Sequence, residues 1–102
     1  MIHVVALIEV QPGSRDAVVE EFHKLLPEVH AEDGCIEYGP AVDVASGLDR
    51  QEPPRDNVVT MIEKWRDVDA LKAHLSAPHM NAFRERVKDM VAGLTLHILE
   101  PA

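Results

Sequence analysis

The positions of the apolar residues at the start of the chain predict a strand followed by a helix. Residues 2–10 are apolar at nearly every position, so both faces of this strand are expected to be at least partly covered. Apolar residues then recur every three or four positions from Val18 onwards, which indicates an amphipathic helix. Pro27 lacks a backbone donor, so we predict that the helix ends between Leu26 and Glu32.

The middle of the chain predicts two more strands, joined by a long polar loop. The first of them covers residues 35–44, and residues 45–56 are polar and rich in glycine and proline. We expect mobility in this loop. Successive residues of the segment 57–65 are expected on opposite sides of the second strand, with Met61 and Trp65 on the same side.

Two helices and a final strand complete the pattern. His74 and Leu75 share the apolar face of the first helix, Pro78 opens the second, and Gly93 is predicted to end it before a strand at residues 94–99. This order predicts an α+β, ferredoxin-like split βαβ fold, with an antiparallel four-stranded sheet and helices on one face. Apolar residues on the other face need a cover, and a partner sheet is the simplest one.

Composition narrows the class of protein further. The chain has 102 residues, so residues 1–102 are expected to form one small domain. A formal net charge of −8 argues against nucleic acid and anionic membranes as partners. The single cysteine and the absence of a signal-peptide pattern at the start indicate the cytoplasm. No apolar run approaches the roughly 20 residues that a membrane helix needs.

Four short segments in order resemble the antibiotic biosynthesis monooxygenase domain, and most closely its small quinol monooxygenase-type members. They are Glu-Asp-Gly-Cys-Ile-Glu-Tyr at residues 32–38, Glu-Lys-Trp at 63–65, Ala-Leu-x-x-His-Leu at 70–75 and Pro-His at 78–79. The resemblance implies a homodimeric α+β barrel with a pocket in each subunit between sheet and helices. It also implies oxidation of quinol- or anthrone-like aromatics by O2 with no cofactor, neither metal nor flavin.

His74 is the predicted catalytic residue. Its place on an apolar helix face directs the imidazole towards the implied pocket, and its near-neutral titration suits a general base. The alternative is a core histidine satisfied by a neighbouring polar group. The six histidines show no metal-binding spacing, so no metal site is predicted; one could arise only through proximity in the fold.

Seven further residues are predicted to line the substrate pocket. Most have a structural alternative: Trp65 as a core anchor, Tyr38 as a packed strand residue, Glu63 as half of an ion pair with Arg84 or Lys64, and Arg84 as an exposed cation. The set comprises Tyr38, Met61, Glu63, Trp65, His79, Phe83 and Arg84.

Three functions are compatible with this pattern. The preferred one is a cofactor-independent monooxygenase in which the base deprotonates a hydroxylated aromatic and the anion reduces O2 directly. The second is an isomerase or other proton-transfer enzyme acting on a small carbonyl metabolite. The third is a non-catalytic, ligand-binding dimeric module. The fold alone does not choose among them.

Overall fold

A computed structural model describes residues 1–102 and contains four strands and three helices. The predicted order of elements is confirmed. The elements are β1 (Ile2–Val10), α1 (Arg15–His30), β2 (Cys35–Ala41), β3 (Val58–Trp65), α2 (Val68–Leu75), α3 (Pro78–Val87) and β4 (Val91–Leu99).

The four strands form one antiparallel sheet in the order β2-β3-β1-β4. Central β1 pairs with β3 on one side and with β4 on the other, which is the topology of a ferredoxin-like α+β fold. Alternate β1 residues from Ile2 to Val10 are buried on the face that the helices cover. The residues between them are exposed or half-buried on the other face, so the predicted one-sided arrangement of helices is confirmed.

Helix α1 supplies much of the cover. Four of its apolar residues are buried in the core between the helix and the sheet: Val18, Phe22, Leu25 and Val29. The helix continues past the exposed Pro27 and ends at His30, within the predicted range. The proline is tolerated because it stands in the last turn and costs only one backbone hydrogen bond there.

Two predicted boundaries were wrong. Strand β2 ends at Ala41 rather than near residue 44. Gly93 does not end α3; that helix stops at Val87, and Gly93 lies inside β4 opposite Glu9, beside a register shift. A Cβ atom on Gly93 would lie 3.2 Å from a carboxyl oxygen of Glu9, so the glycine permits close approach in a strand rather than a helix stop.

Hydrogen bonds between two side chains and the backbone join the ends of the long loop between β2 and β3. Arg55 donates from its backbone N–H and from its Nε to one carboxyl oxygen of Asp43, at 2.9 and 2.8 Å. This arrangement holds the two ends of the loop together. None of the helices is long and apolar enough to cross a membrane.

Candidate active site

A cavity of about 340 Å³ lies between the helices and the covered face of the sheet. This volume is at the lower end of the range for small-molecule sites. The cavity opens beside β4, where Leu94 and Leu96 remain 61% and 39% exposed because no helix covers that edge. Twelve of its 16 lining residues are hydrophobic, and the full set is Ala6, Ile8, Phe22, Tyr38, Met61, Glu63, His74, Leu75, Met80, Phe83, Arg84, Val87, Lys88, Val91, Leu94 and Leu96.

His74 reaches this cavity from α2. Asp67 caps that helix by accepting a hydrogen bond from the backbone N–H of Ala70 at 2.8 Å, so the helix begins at a defined residue. The buried face of α2 then consists of Ala70, Leu71 and His74, and the His74 side chain is only 2% exposed. The helix therefore delivers an imidazole into an apolar environment.

Glu32 fixes the protonation pattern of His74. The Nδ1 atom of His74 lies 2.8 Å from Oε2 of Glu32, and an ionised carboxylate can only accept a hydrogen bond. Nδ1 therefore donates, and the Nε2 atom of the neutral ring is left as an acceptor. Two aromatic rings hold the imidazole in this orientation: Trp65 at 4.6 Å and Tyr38 at 5.2 Å between ring centroids.

Burial lowers the pKa of His74 below its ordinary value, because the apolar surroundings disfavour the imidazolium ion. The neighbouring Glu32 carboxylate opposes this effect but does not overcome it. His74 is consequently neutral at neutral pH, which is the state a general base requires.

The same carboxyl oxygen of Glu32 also accepts a hydrogen bond from Nε2 of His79, again at 2.8 Å. The ligand atoms of Glu32, His74 and His79 lie within 4.8 Å of one another, so this set could hold a metal ion. The three groups already satisfy one another through their hydrogen bonds. Sequence reasoning missed Glu32, because its partners stand 42 and 47 positions away and no local spacing links them.

Glu63 is the second titratable group in the cavity. It is 5% exposed, and its Oε1 accepts a hydrogen bond from Nε1 of Trp65 at 2.9 Å. The ion pair that was the structural alternative for Glu63 is absent, since Lys64 pairs with Glu37 and the Arg84 guanidinium donates to the carbonyl of Leu75 and to Asn81. Burial is the main reason that the pKa of Glu63 rises from 4.5 to about 7.

Three polar atoms in the cavity make no hydrogen bond within the protein: the Tyr38 hydroxyl, Oε2 of Glu63 and Nε2 of His74. The only fully enclosed side-chain polar atom without a partner is Oγ1 of Thr60, so the other three are accessible to a ligand. Burial also raises the pKa of Tyr38, which keeps the phenol protonated as a donor. An apolar cavity with a few unpartnered polar atoms is suited to an aromatic ligand that carries oxygen substituents.

Six of the eight residues predicted from the sequence line the cavity, and two do not. Met61 and Phe83 are buried wall residues, and Arg84 stands exposed at the rim. Trp65 and His79 are absent from the lining. Trp65 lies fully buried beneath the His74 ring, and His79 turns towards Glu32, so both contact the cavity residues from behind.

Comparison with known proteins places this geometry in a family. The sequence model of the antibiotic biosynthesis monooxygenase family matches residues 1–86. The Probable quinol monooxygenase YgiN of Escherichia coli strain K12 is 43% identical over 103 aligned positions, which cover 99% of this chain and 98% of the relative.

Solved structures agree with the fold. PA3566 from Pseudomonas aeruginosa superposes with a TM-score of 0.79 at 26% identity, covering 99% of this chain and 93% of that one. A conserved protein from Methanosarcina mazei Go1 superposes with a TM-score of 0.80 at 24% identity, covering 99% and 92%. The match of the family model and the full-length similarity to YgiN show that the chain belongs to the antibiotic biosynthesis monooxygenase family.

Proposed function

We propose that this protein is a cofactor-independent monooxygenase that oxidises a quinol- or anthrone-like hydroxylated aromatic with O2. Family membership and the full-length similarity to YgiN support a monooxygenase-type function. The observation that carries the finer proposal is the buried imidazole whose Nδ1 is held by Glu32 and whose Nε2 is left free in the cavity. A base in this state can take a proton from a phenolic hydroxyl.

The apolar wall then assists the redox chemistry. Removal of the hydroxyl proton by His74 leaves an electron-rich aromatic anion, which passes an electron to O2 and recombines with it at a ring carbon. The peroxide anion formed in this way takes the proton back from His74 and becomes a hydroperoxide. The hydroperoxide then loses water to form a new carbonyl, so one atom of O2 enters the product and the other leaves as water. Twelve of the 16 lining residues are hydrophobic, so the wall offers few polar groups that would hold water beside these intermediates.

Oxygen uptake with a panel of quinols and anthrones tests this function. The expected result is uptake by the wild-type protein above the rate of spontaneous oxidation, with label from ¹⁸O2 in the organic product. Turnover of a carbonyl substrate under strict anaerobiosis would instead support the isomerase alternative. Tight binding with no turnover of any substrate would support the non-catalytic module.

We also propose that the active protein is a homodimer joined through the uncovered face of the sheet. On that face Val5 and Leu7 are half-buried, while Ile62 and Leu99 remain 39% and 49% exposed. A second copy is the simplest cover for these residues, because the same patch then serves both subunits. Light scattering at micromolar concentration should give twice the chain mass of 11.3 kDa, and the mass of a monomer would refute the proposal.

A further inference from the structure

Glu63 has features that the base mechanism does not use. Its carboxyl group is buried, yet no lysine, arginine or histidine lies within ion-pair distance of it. A buried carboxylate without a cation is costly, so the group favours its neutral, protonated form. A protonated carboxyl can donate, whereas a carboxylate can only accept.

The geometry also aims this group at the cavity. Oε1 is held by the Trp65 N–H, and Oε2 is left without a protein partner at the cavity wall. The proton of the acid therefore belongs on Oε2, because Oε1 already accepts a hydrogen bond. Tyr38 stands directly opposite Glu63 in the β2–β3 pairing, so the two groups lie side by side on the covered face.

We infer that Glu63 is a second catalytic residue, the general acid that completes the loss of water from the hydroperoxide. This inference rests on the proposed function. In this step His74 takes the ring C–H proton, the C–H electron pair forms the new carbonyl, and the O–O bond breaks. The departing hydroxide takes the proton from Oε2 of Glu63 and leaves as water. The proton now on His74 then restores the acid, so the two groups end the cycle as they began it.

The surroundings of Glu63 suit an acid that works near neutral pH. The titratable and charged groups near it are Tyr38 and Cys35 on β2, His74 on α2, Glu32 in the turn after α1, Arg84 on α3 and Lys88 just after α3. The pKa of Glu63 is about 7, because burial and the Glu32 charge raise it and the Trp65 hydrogen bond lowers it. A carboxylic acid with this pKa is close to the optimum for proton transfer at neutral pH.

The fate of the second oxygen atom tests the inference. Without an acid, the same hydroperoxide can expel hydrogen peroxide and leave an ordinary quinone, so quinol and O2 give quinone and H2O2. We therefore expect Glu63→Gln to raise the H2O2 released per O2 consumed at least fivefold, with a matching loss of ¹⁸O from the product. Removal of a general acid commonly slows a step by roughly 10²–10⁴-fold, which leaves ample room for this competing reaction.

Tyr38→Phe is the matched control, since it removes the neighbouring hydroxyl and leaves the Glu63 carboxyl in place. It is expected to alter KM while the share of peroxide stays at the wild-type level. An infrared difference spectrum between the wild type and Glu63→Gln at pH 6 should also contain the band of a protonated carboxyl. Oxygen uptake with an unchanged peroxide share in Glu63→Gln, or absence of that band, overturns the acid role alone. A wild type that consumes no O2 overturns the proposed function, and the acid role falls with it.

Discussion

The burial of Glu63 should make the free energy of unfolding depend on pH, and Glu63→Gln should remove this contribution. The pKa of this carboxyl is about 7 in the folded chain, against an ordinary value of 4.5. Between these two pH values the folded state binds the proton more tightly than the unfolded state does. The free energy of unfolding contributed by this group is therefore fully present below pH 4.5 and is lost as the pH rises through 7.

The size of the loss follows from the two pKa values. One pH unit corresponds to about 1.4 kcal/mol, so the difference between 4.5 and about 7 costs the wild type about 3 kcal/mol at pH 8. Glutamine has nearly the same shape, keeps an oxygen for the Trp65 N–H and does not ionise. Glu63→Gln should therefore become more stable relative to the wild type as the pH rises, by up to about 3 kcal/mol.

Urea denaturation at pH 4.5 and pH 8 provides the assay, with both proteins at one fixed concentration so that any association equilibrium is the same. Glu37→Gln on the neighbouring strand is the control, because that side chain is half exposed and pairs with Lys64 in water. The difference between Glu63→Gln and the wild type should grow between the two pH values, and that for Glu37→Gln should not. A Glu63→Gln difference that is the same at both pH values would refute the argument that this carboxyl is buried and uncompensated.

Two further predictions concern the turn and the acid that position the base. Gly34 has a φ of +86°, and a Cβ atom there would lie 2.6 Å from Cβ of Ala70, so Gly34→Ala should lower the free energy of unfolding by backbone strain plus overlap. Gly13 has a φ of +83° and open space around it, so Gly13→Ala is the control and should cost only the backbone strain of roughly 1–2 kcal/mol. In urea titrations Gly34→Ala should lower the free energy of unfolding by about 1–3 kcal/mol more than Gly13→Ala does. Equal costs for the two variants would contradict the close packing of Gly34 against Ala70. Glu32→Gln removes the charge that stabilises the His74 imidazolium, so the rising limb of kcat/KM against pH should move to lower pH while kcat falls; an unmoved limb would show that the carboxylate does not act on His74.

The order of the elements and the covered face of the sheet could be predicted because each depends on local periodicity. The two-residue period of a strand in β1 and the three- and four-residue spacing in α1 appear in the structure as buried positions. The boundary between α3 and β4 could not be predicted, because a glycine after an apolar run is compatible with both a helix stop and a strand. Gly93 belongs to a strand because it pairs with Glu9 of β1, which is far away in the sequence.

The site was predictable in part for the same reason. His74 stands out on an apolar helix face, and six of the eight proposed residues line the cavity. Glu32 could not be identified, because its contact with His74 exists only after β2 and α2 have brought the two together. Trp65 and His79 belong to the segments that resemble the family, but they contact the lining residues without lining the cavity themselves. Whether such a side chain faces the cavity or packs behind its lining depends on tertiary packing, which the sequence pattern does not give.

The proposed function requires Nε2 of His74 to take the substrate proton. The most direct measurement compares kcat/KM for oxygen uptake, with the best quinol or anthrone, among the wild type, His74→Gln and His23→Gln. His23 is an exposed histidine on α1 and controls for the loss of an imidazole elsewhere. We predict a fall of roughly 10²–10⁴-fold for His74→Gln, the usual contribution of a general base, and no change for His23→Gln. Equal rates for the wild type and a folded His74→Gln would show that His74 is not the base.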